Sequence, residues 1–439
     1  MGSTKDGIDS NALVDRAIVA TLILPGSGAD RAVDPLQEIS GLVEAAGAKV
    51  VGGLTQRLTK INPRTAFGRG KVSEIHDLAK ANDATLVVVD HDLSPGQGRN
   101  LEKDLGMRVV DRTELILDIF ATRAQTNQAK LQVELAQMEY VKTRLKRMWT
   151  HLERTEGAVG SRGPGETQLE TDRRLVGAKV TSLKRKLKEI ENRRHREAVA
   201  REYPYTVSLV GYTNSGKSSM LKKLTSADVY IADQLFATLD TRVRYWTLQD
   251  TRKVVLADTV GFVRDLPHNL VASFHATLEE TINADLLVHL CDASDPDLEL
   301  NIEAVNDVLQ QLDAINIPSL LVLNKWDKVD EQLAIELRHK YPDALYASVH
   351  DGFGIDGLDS TVAALVDDWS LHLEIEVPAT EGKLLAEFNH HAMIVREHYD
   401  ESNWVAHISL APRHWNALRP RLEECGGRFS AASERPHPQ

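Results

Sequence analysis

The sequence predicts an α/β fold in four parts. A small α/β domain occupies residues 12–110 and a long antiparallel helical hairpin 111–204. A P-loop domain with a mainly parallel sheet follows at 205–370, then a small α/β domain at 371–430. Three observations carry this reading. Apolar runs of strand length alternate with amphipathic helical stretches in the first and third parts. Two stretches of apolar residues stepping by four and three flank a Gly/Pro-rich break at 157–165. A short apolar strand at 207–210 runs directly into G-x-x-x-x-G-K-S and then a helical stretch.

In the first part, residues 17–24 (AIVATLIL), 50–54 and 85–90 (TLVVVD) read as buried strands, with helices at 34–46 and 72–81 between them. Strand–helix–strand alternation asks for parallel pairing. The glycine pairs at 26 and 28, 68 and 70, and 96 and 98 read as ordinary turns. Phe67-Gly68-Arg69-Gly70-Lys71 is the one stretch there that looks like a phosphate loop. In the second part, Leu131, Leu135, Met138, Leu145, Trp149 and Leu152 form one apolar seam, interrupted by Lys142. Leu169, Val176, Val180, Leu183, Leu187 and Ile190 form the other, interrupted by Arg173. A continuous helix over 112–154 would reach roughly 65 Å. In the last part, 371–377 (LHLEIEV) alternates like a strand, 383–390 suits a helix and 406–410 a strand, with a polar tail from 434.

The chain has 439 residues, 42% apolar and 26% charged, which excludes a single small domain and a wholly disordered chain. Two cysteines, Cys291 and Cys425, cannot build a disulfide framework, and no Cys-x-x-Cys or His-Glu-x-x-His spacing offers a zinc site. The apolar runs are too short to span a bilayer, and the polar start MGSTKDGIDS is not a secretory signal. A cytoplasmic protein is expected, with peripheral membrane association as the only membrane role left open. The net charge of −12 hides an asymmetry. Residues 142–201 hold 17 Lys and Arg against 8 Asp and Glu, whereas the rest holds 35 against 56. A surplus of nine on one helical element, with a tip that carries no apolar seam, points to a polyanion partner; it does not separate RNA from DNA.

The chemistry lies in three motifs in order. Gly211-Tyr212-Thr213-Asn214-Ser215-Gly216-Lys217-Ser218 supplies backbone N–H groups around a β-phosphate at a helix N-terminus. Lys217 would neutralise β- and γ-phosphate charge and Ser218 would bind Mg2+. A second strand ends in Asp258-Thr259-Val260-Gly261, where Asp258 could hold Mg2+ through water and the Gly261 N–H could face a γ-phosphate. A third ends in Asn324-Lys325-Trp326-Asp327; a carboxylate there accepts two hydrogen bonds that guanine offers and adenine does not. The order and placement predict binding of GTP and GDP.

At this point a family resemblance is plain. Gly163-Pro164-Gly165-Glu166-Thr167-Gln168-Leu169-Glu170-Thr171-Asp172-Arg173-Arg174 precedes the phosphate loop, and Phe236-Ala237-Thr238-Leu239-Asp240 lies between the first and third motifs. The combination resembles the GTPase HflX family, of the translation-factor class of P-loop GTPases. The likeness covers nearly the whole chain. It implies a first switch at 236–240, with Thr238 as second Mg2+ ligand and γ-phosphate sensor; Thr241 is a nearby competitor. It implies a second switch at 258–261 and completion of the base pocket by the backbone of Ser348-Val349-His350, where valine replaces the usual alanine. Lys217, Thr238 and Gly261 would be the catalytic groups. It also implies binding of the large ribosomal subunit and its ribosomal RNA through the hairpin tip, ribosome splitting or rescue under stress, and a monomer. ATP binding or RNA remodelling by the N-terminal domain is a further implication.

Phe262 follows Gly261 where many GTPases carry a water-orienting glutamine. Intrinsic hydrolysis should therefore be slow until a partner, the ribosome by resemblance, completes the site. Asn214 resembles the asparagine of GTPases that recruit K+, and equally suits a loop-stabilising role. Two rival readings remain at this level: an RNA-modification or ribosome-assembly GTPase, the former needing a second active site such as a reactive cysteine, and a GTP-binding scaffold without chemistry of its own.

Overall fold

The computed structural model describes residues 14–152, 164–199, 205–225, 235–236, 242–265, 279–400 and 402–431. They gather into two compact units. One holds the chain to residue 189 together with 235–236 and 263–265; the other holds the rest.

The first unit opens with β1 (Arg16–Ile23), the short helix α1 (Gly28–Arg31), α2 (Gln37–Ala45), β2 (Lys49–Arg57), α3 (Arg69–Ala81), β3 (Leu86–Asp90), α4 (Pro95–Leu105) and β4 (Arg108–Asp111). The strands form a parallel sheet in the order β2-β1-β3-β4. β1 and β3 are central and buried almost throughout, which is why they read as continuous apolar runs. Ile18, Ala20, Val87 and Val89 meet Phe67, Ile75 and Leu101 in one core.

Gly96 and Gly98 are not in a turn but in the first turns of α4. Ser94 and Gln97 close a capping box around that helix start, and Pro95 sits at its first position. Those local bonds outweigh the modest helix penalty of glycine.

Next come α5 (Arg112–Arg123), α6 (Asn127–Leu152) and α7 (Pro164–Val199). The expected continuous helix over 112–154 is two helices. Ala124 turns extended, and the Thr126 hydroxyl accepts from the Ala129 N–H at 3.1 Å, starting a new helix. The α6 segment alone reaches roughly 39 Å at 1.5 Å per residue. Leu131, Leu135 and Met138 of α6 meet Val176, Val180, Leu183 and Leu187 of α7, the seams that the spacing picked out. Glu134 pairs with Lys179 and Glu139 with Lys184, both at 2.8 Å, flanking the seam. Arg185, Lys186 and Lys188 stay exposed.

The second unit carries β5 (Thr206–Gly211), α8 (Lys217–Thr225), β6 (Arg242–Thr247), β7 (Lys253–Asp258), the short helix α9 (Glu279–Ile282), β8 (Leu286–Asp292), α10 (Leu298–Gln311), β9 (Ser319–Asn324), α11 (Glu331–Lys340), β10 (Leu345–Tyr346) and α12 (Ile355–Trp369). Their sheet runs β10-β9-β8-β5-β7-β6, parallel except for the edge pair of β6 with β7. The chain ends in β11 (Leu371–Pro378), α13 (Gly382–His391), β12 (Met393–Asp400), β13 (Asn403–Leu410), α14 (Pro412–Glu424) and β14 (Arg428–Ala431). Those strands form an antiparallel sheet, β12-β13-β11-β14. One face packs Ile375, Val377, Trp404, Ala406 and Ile408 on Leu384, Phe388, Leu418 and Leu422 of its two helices. Among the described residues, no helix is long and apolar enough to cross a membrane.

Candidate nucleotide site

In the six-stranded sheet, β5, β7, β8 and β9 are parallel neighbours, so their C-terminal ends lie along one edge. This is where open α/β sheets bind ligands. β5 delivers the loop 211–218, β7 delivers Asp258 and β9 delivers Asn324, so three motifs far apart in sequence come together.

The loop is braced from both sides. Asn324 donates its side-chain N–H to the Ser215 carbonyl at 2.9 Å, while its Oδ1 accepts from the Val349 N–H at 3.3 Å. Gly216 has φ +98°, and a Cβ there would collide with the Asn324 amide. Lys217 begins α8 and donates Nζ–H to the carbonyls of Gly211 (3.0 Å) and Tyr212 (2.7 Å), which curls the loop around its own lysine. Ser218 donates its hydroxyl to Asp258 Oδ2 at 2.8 Å, and the Thr259 hydroxyl donates to the Leu209 carbonyl at 2.7 Å.

Gly261 passes close over the loop: a Cβ there would lie 2.9 Å from Thr213 Cα and 3.2 Å from Lys217 Nζ. Phe262 locks this approach. Its N–H donates to the Gly211 carbonyl at 3.2 Å and its carbonyl accepts from the Thr213 N–H at 2.8 Å. The Phe262 side chain is buried.

Beyond the end of β9, the Ser348 hydroxyl donates to Asp327 Oδ1 at 2.6 Å and fixes the carboxylate. The Trp326 N–H donates to the Ala347 carbonyl, tying the strand end at Asn324 to the 347–349 turn. Trp326 itself packs against Tyr346 with the rings tilted by 47° and their centroids 4.6 Å apart. His350 is exposed.

Burial sets the electrostatics. It pulls the Lys217 ammonium down to about 8, partly opposed by the Asp258 carboxylate. It pulls His289 on β8 down to about 4, helped by the Lys217 charge, so that imidazole is neutral. It pushes the Cys291 thiol up to about 12, an inert thiol rather than a nucleophile.

The first-switch expectation falls mainly outside the described residues. Ala237, Thr238, Leu239 and Asp240 lie outside the described residues, as does the glycine-rich tip 157–163. Phe236 is described, and its side chain is core. Its ring stands edge-on to Phe120 of α5 with centroids 4.7 Å apart. In the same unit, Arg264 pairs with Glu38 of α2, and its carbonyl accepts from Arg112 at 2.7 Å. Arg112 also pairs with Glu38 and with Asp90. In the N-terminal sheet, the loop-like 67–71 stretch is a helix start. The Gly68 N–H donates to the Gln56 side chain at 3.0 Å, and Lys71 pairs with Glu74. Asp292, which lies outside the three motifs, ends β8 and pairs with Lys325 at 2.7 Å.

Three family profiles match the chain in order. One described as GTP-binding GTPase N-terminal covers residues 34–121, one described as GTP-binding GTPase Middle Region covers 123–201, and one described as 50S ribosome-binding GTPase covers 206–325. GTPase HflX of Escherichia coli (strain K12) is 45% identical over 383 residues, spanning 86% of this chain and 89% of that protein. GTPase HflX of Magnetococcus marinus is 41% identical over 422 residues, spanning 95% and 98%. Fold, motif order and profiles together define a P-loop GTPase, an enzyme that binds and hydrolyses GTP. The chain belongs to the GTPase HflX family.

Proposed function

We propose that this GTPase is a nucleotide-timed switch on the ribosome. In GTP, the basic hairpin grips ribosomal RNA of the large subunit, the complex splits or rescues stalled ribosomes under stress, and hydrolysis ends the engagement. The observation that carries this is the union, in one chain, of a braced phosphate loop and a helical arm with nine surplus positive charges. The profile over 206–325, described as a 50S ribosome-binding GTPase, supports the choice of partner. A buried Cys291 with a raised pKa offers no second active site of the kind an RNA-modifying enzyme needs.

In this reading the loop 211–218 takes the phosphates, the Gly261 N–H meets the γ-phosphate, and Asp327 with the 348–350 backbone reads guanine. The donor set at the phosphate end suits Mg2+: Ser218 Oγ and Asp258 Oδ2 are hard oxygens 2.8 Å apart. Ser218 would hold the ion directly and Asp258 through water, with Thr238 as second protein ligand; the ion would neutralise β- and γ-phosphate charge. Phe262 is apolar and buried, so no side chain at that position orients water, and hydrolysis waits on the ribosome.

Asn214 sits at φ 63°, exposed at the loop's rim, where a side-chain oxygen could face K+ beside the phosphates. K+ should then raise the hydrolysis rate several-fold over Na+, by about the 1 kcal/mol that one well-placed charge contact supplies. Asn214→Ala should remove the difference. Equal rates in the two salts discard the idea and leave asparagine as a residue that tolerates left-handed backbone.

Cosedimentation with large ribosomal subunits tests the switch. A non-hydrolysable GTP analogue should pellet the protein and GDP should release it. Arg185→Glu with Lys188→Glu should weaken pelleting and lower the log–log salt slope by about two, one for each phosphate no longer neutralised, with GTP affinity unchanged. Lys184 is a poorer probe because reversing it also breaks its pair with Glu139. Pelleting indifferent to the nucleotide would sink the reading.

A further inference from the structure

Within the second unit, a cleft of about 460 Å³ lies where the turn between β6 and β7 and the end of α12 meet the C-terminal sheet. Its lining holds Arg252, Lys253, His390 and His391 but no aspartate or glutamate, in a chain of net charge −12. Asp250 and Asp367, close by, are both paired with Arg252, which also donates to the Ala363 carbonyl at 2.8 Å. Lys253 at the first position of β7 and His390 near the end of α13 are exposed and form the rim. The His390 and His391 rings stand edge to face, centroids 4.8 Å apart. The floor is different. Ser409 alternates with Ile408 and Leu410 of the core, so it points from the opposite face of β13. It lines the cleft at 4% exposure, and its hydroxyl has no hydrogen-bond partner among the described residues.

We propose that this cleft binds a small organic phosphate, a phosphate monoester no larger than a mononucleotide. Lys253 and His390 at the rim meet the phosphate, and Ser409 at the floor donates to an oxygen of the body. A lining with donors and no carboxylate selects an anion: the ammonium makes charge-assisted hydrogen bonds to phosphate oxygens, imidazole N–H groups add to them, and no like charge repels the ligand. A buried hydroxyl without a partner costs stability, and folded proteins keep few of them; a ligand oxygen accepting from Ser409 removes that cost. Val366, Met393 and Ile394 offer the body an apolar wall, and the volume is that of an ordinary metabolite site. The cleft lies outside the three nucleotide motifs, so the proposal stands apart from how they are read. Its occupant would tie the start of β7 to the C-terminal sheet.

Calorimetric titration of the full-length chain tests it, with GDP and Mg2+ saturating so that the loop 211–218 is occupied. The probes are inorganic phosphate, AMP and glucose 6-phosphate, with adenosine and glucose as uncharged counterparts. AMP or glucose 6-phosphate should bind one per chain, and the tighter of the two names the body as nucleoside or sugar. Inorganic phosphate should bind more weakly and compete, and the uncharged counterparts should bind at least about tenfold more weakly than their phosphates. Lys253→Gln should weaken all three phosphates about tenfold, and His390→Gln is a second rim variant should the first fail to fold. Ser409→Ala should weaken the organic phosphate about fivefold and leave inorganic phosphate unchanged. It should also raise the melting temperature of the protein without phosphate, because the unpartnered hydroxyl is gone. GDP affinity should match the parent's in every variant. No binding of either organic phosphate, binding that survives the rim and floor variants alike, or equal binding of the uncharged counterparts overturns the proposal. So does a Ser409→Ala variant that melts below the parent, which would mean that the hydroxyl is already satisfied.

Discussion

Replacing Lys217 by alanine is expected to lower affinity for GTP and GDP between about a hundredfold and several thousandfold, and to remove measurable hydrolysis. The side chain is buried at the start of α8, and its ammonium satisfies two loop carbonyls, Gly211 and Tyr212. Truncating one member of a buried, hydrogen-bonded charge interaction costs about 2–5 kcal/mol, much of it from groups left unpaired. Alanine would leave both carbonyls without their donor and the β- and γ-phosphates without a cation. Equilibrium titration with a fluorescent GDP analogue measures the effect, and tight binding by the variant would remove Lys217 from its role.

The same lysine predicts a pH dependence. Burial lowers it to about 8, so it is charged below that pH and increasingly neutral above. Phosphate binds the charged form. Binding above pH 8 must therefore take up a proton, and affinity should fall with rising pH, by at most about tenfold per unit. Calorimetry in buffers of different ionisation enthalpy would show the uptake; a flat profile from pH 7 to 9.5 would contradict it. Folding has the opposite sign. The unfolded lysine titrates near 10.5, so between about 8 and 10.5 the unfolded chain binds more protons, and this group's destabilising contribution, fully present below pH 8, is relieved as pH rises.

Much of this architecture is legible in the sequence because it is local. β1 and β3 are central strands of a parallel sheet, buried on both faces, and so stand out as apolar runs. The hairpin seams are legible because each helix is long and must bury one stripe. The phosphate loop is legible because strand, loop and helix are contiguous. What escapes is short, exposed or distant. β4 has four residues, too few for a period. β12 and β14 are edge strands whose polar residues read as loop. The break after Arg123 has no glycine or proline to announce it; the Thr126 cap is a single bond. At the site, Asn324 reaches Ser215 across 109 positions, a contact that its guanine-reading motif does not announce. The pairing of Arg264 with Glu38 across 226 positions, and of Phe236 with Phe120, had no local signal at all. The segments flanking the nucleotide motifs are thus the least readable, because their neighbours are chosen by the tertiary fold.

Asp327→Asn should change which base the protein prefers. The carboxylate can accept from both N1–H and the 2-amino group of guanine, and Ser348 holds it in place through Oδ1 at 2.6 Å. Asparagine keeps the shape but turns one acceptor into a donor. Against guanine, that places an N–H opposite an N–H where the bound base shields both from water, a penalty of about 1–3 kcal/mol for each group. Xanthine offers a carbonyl oxygen in place of the 2-amino group, and the new donor can pair with it. GTP affinity should fall by two orders of magnitude or more, on the order of the 3–4 kcal/mol these terms suggest, while XTP affinity rises to approach the parent's for GTP. Hydrolysis of bound XTP should proceed at the parent's rate for GTP, since the substitution lies at the base and leaves Lys217 and Gly261 untouched. Competition of GDP against XDP on the parent and the variant reads the exchange directly. An unchanged preference for guanine would mean that Asp327 does not face the base, and the 324–327 turn would then be a structural end to β9 alone.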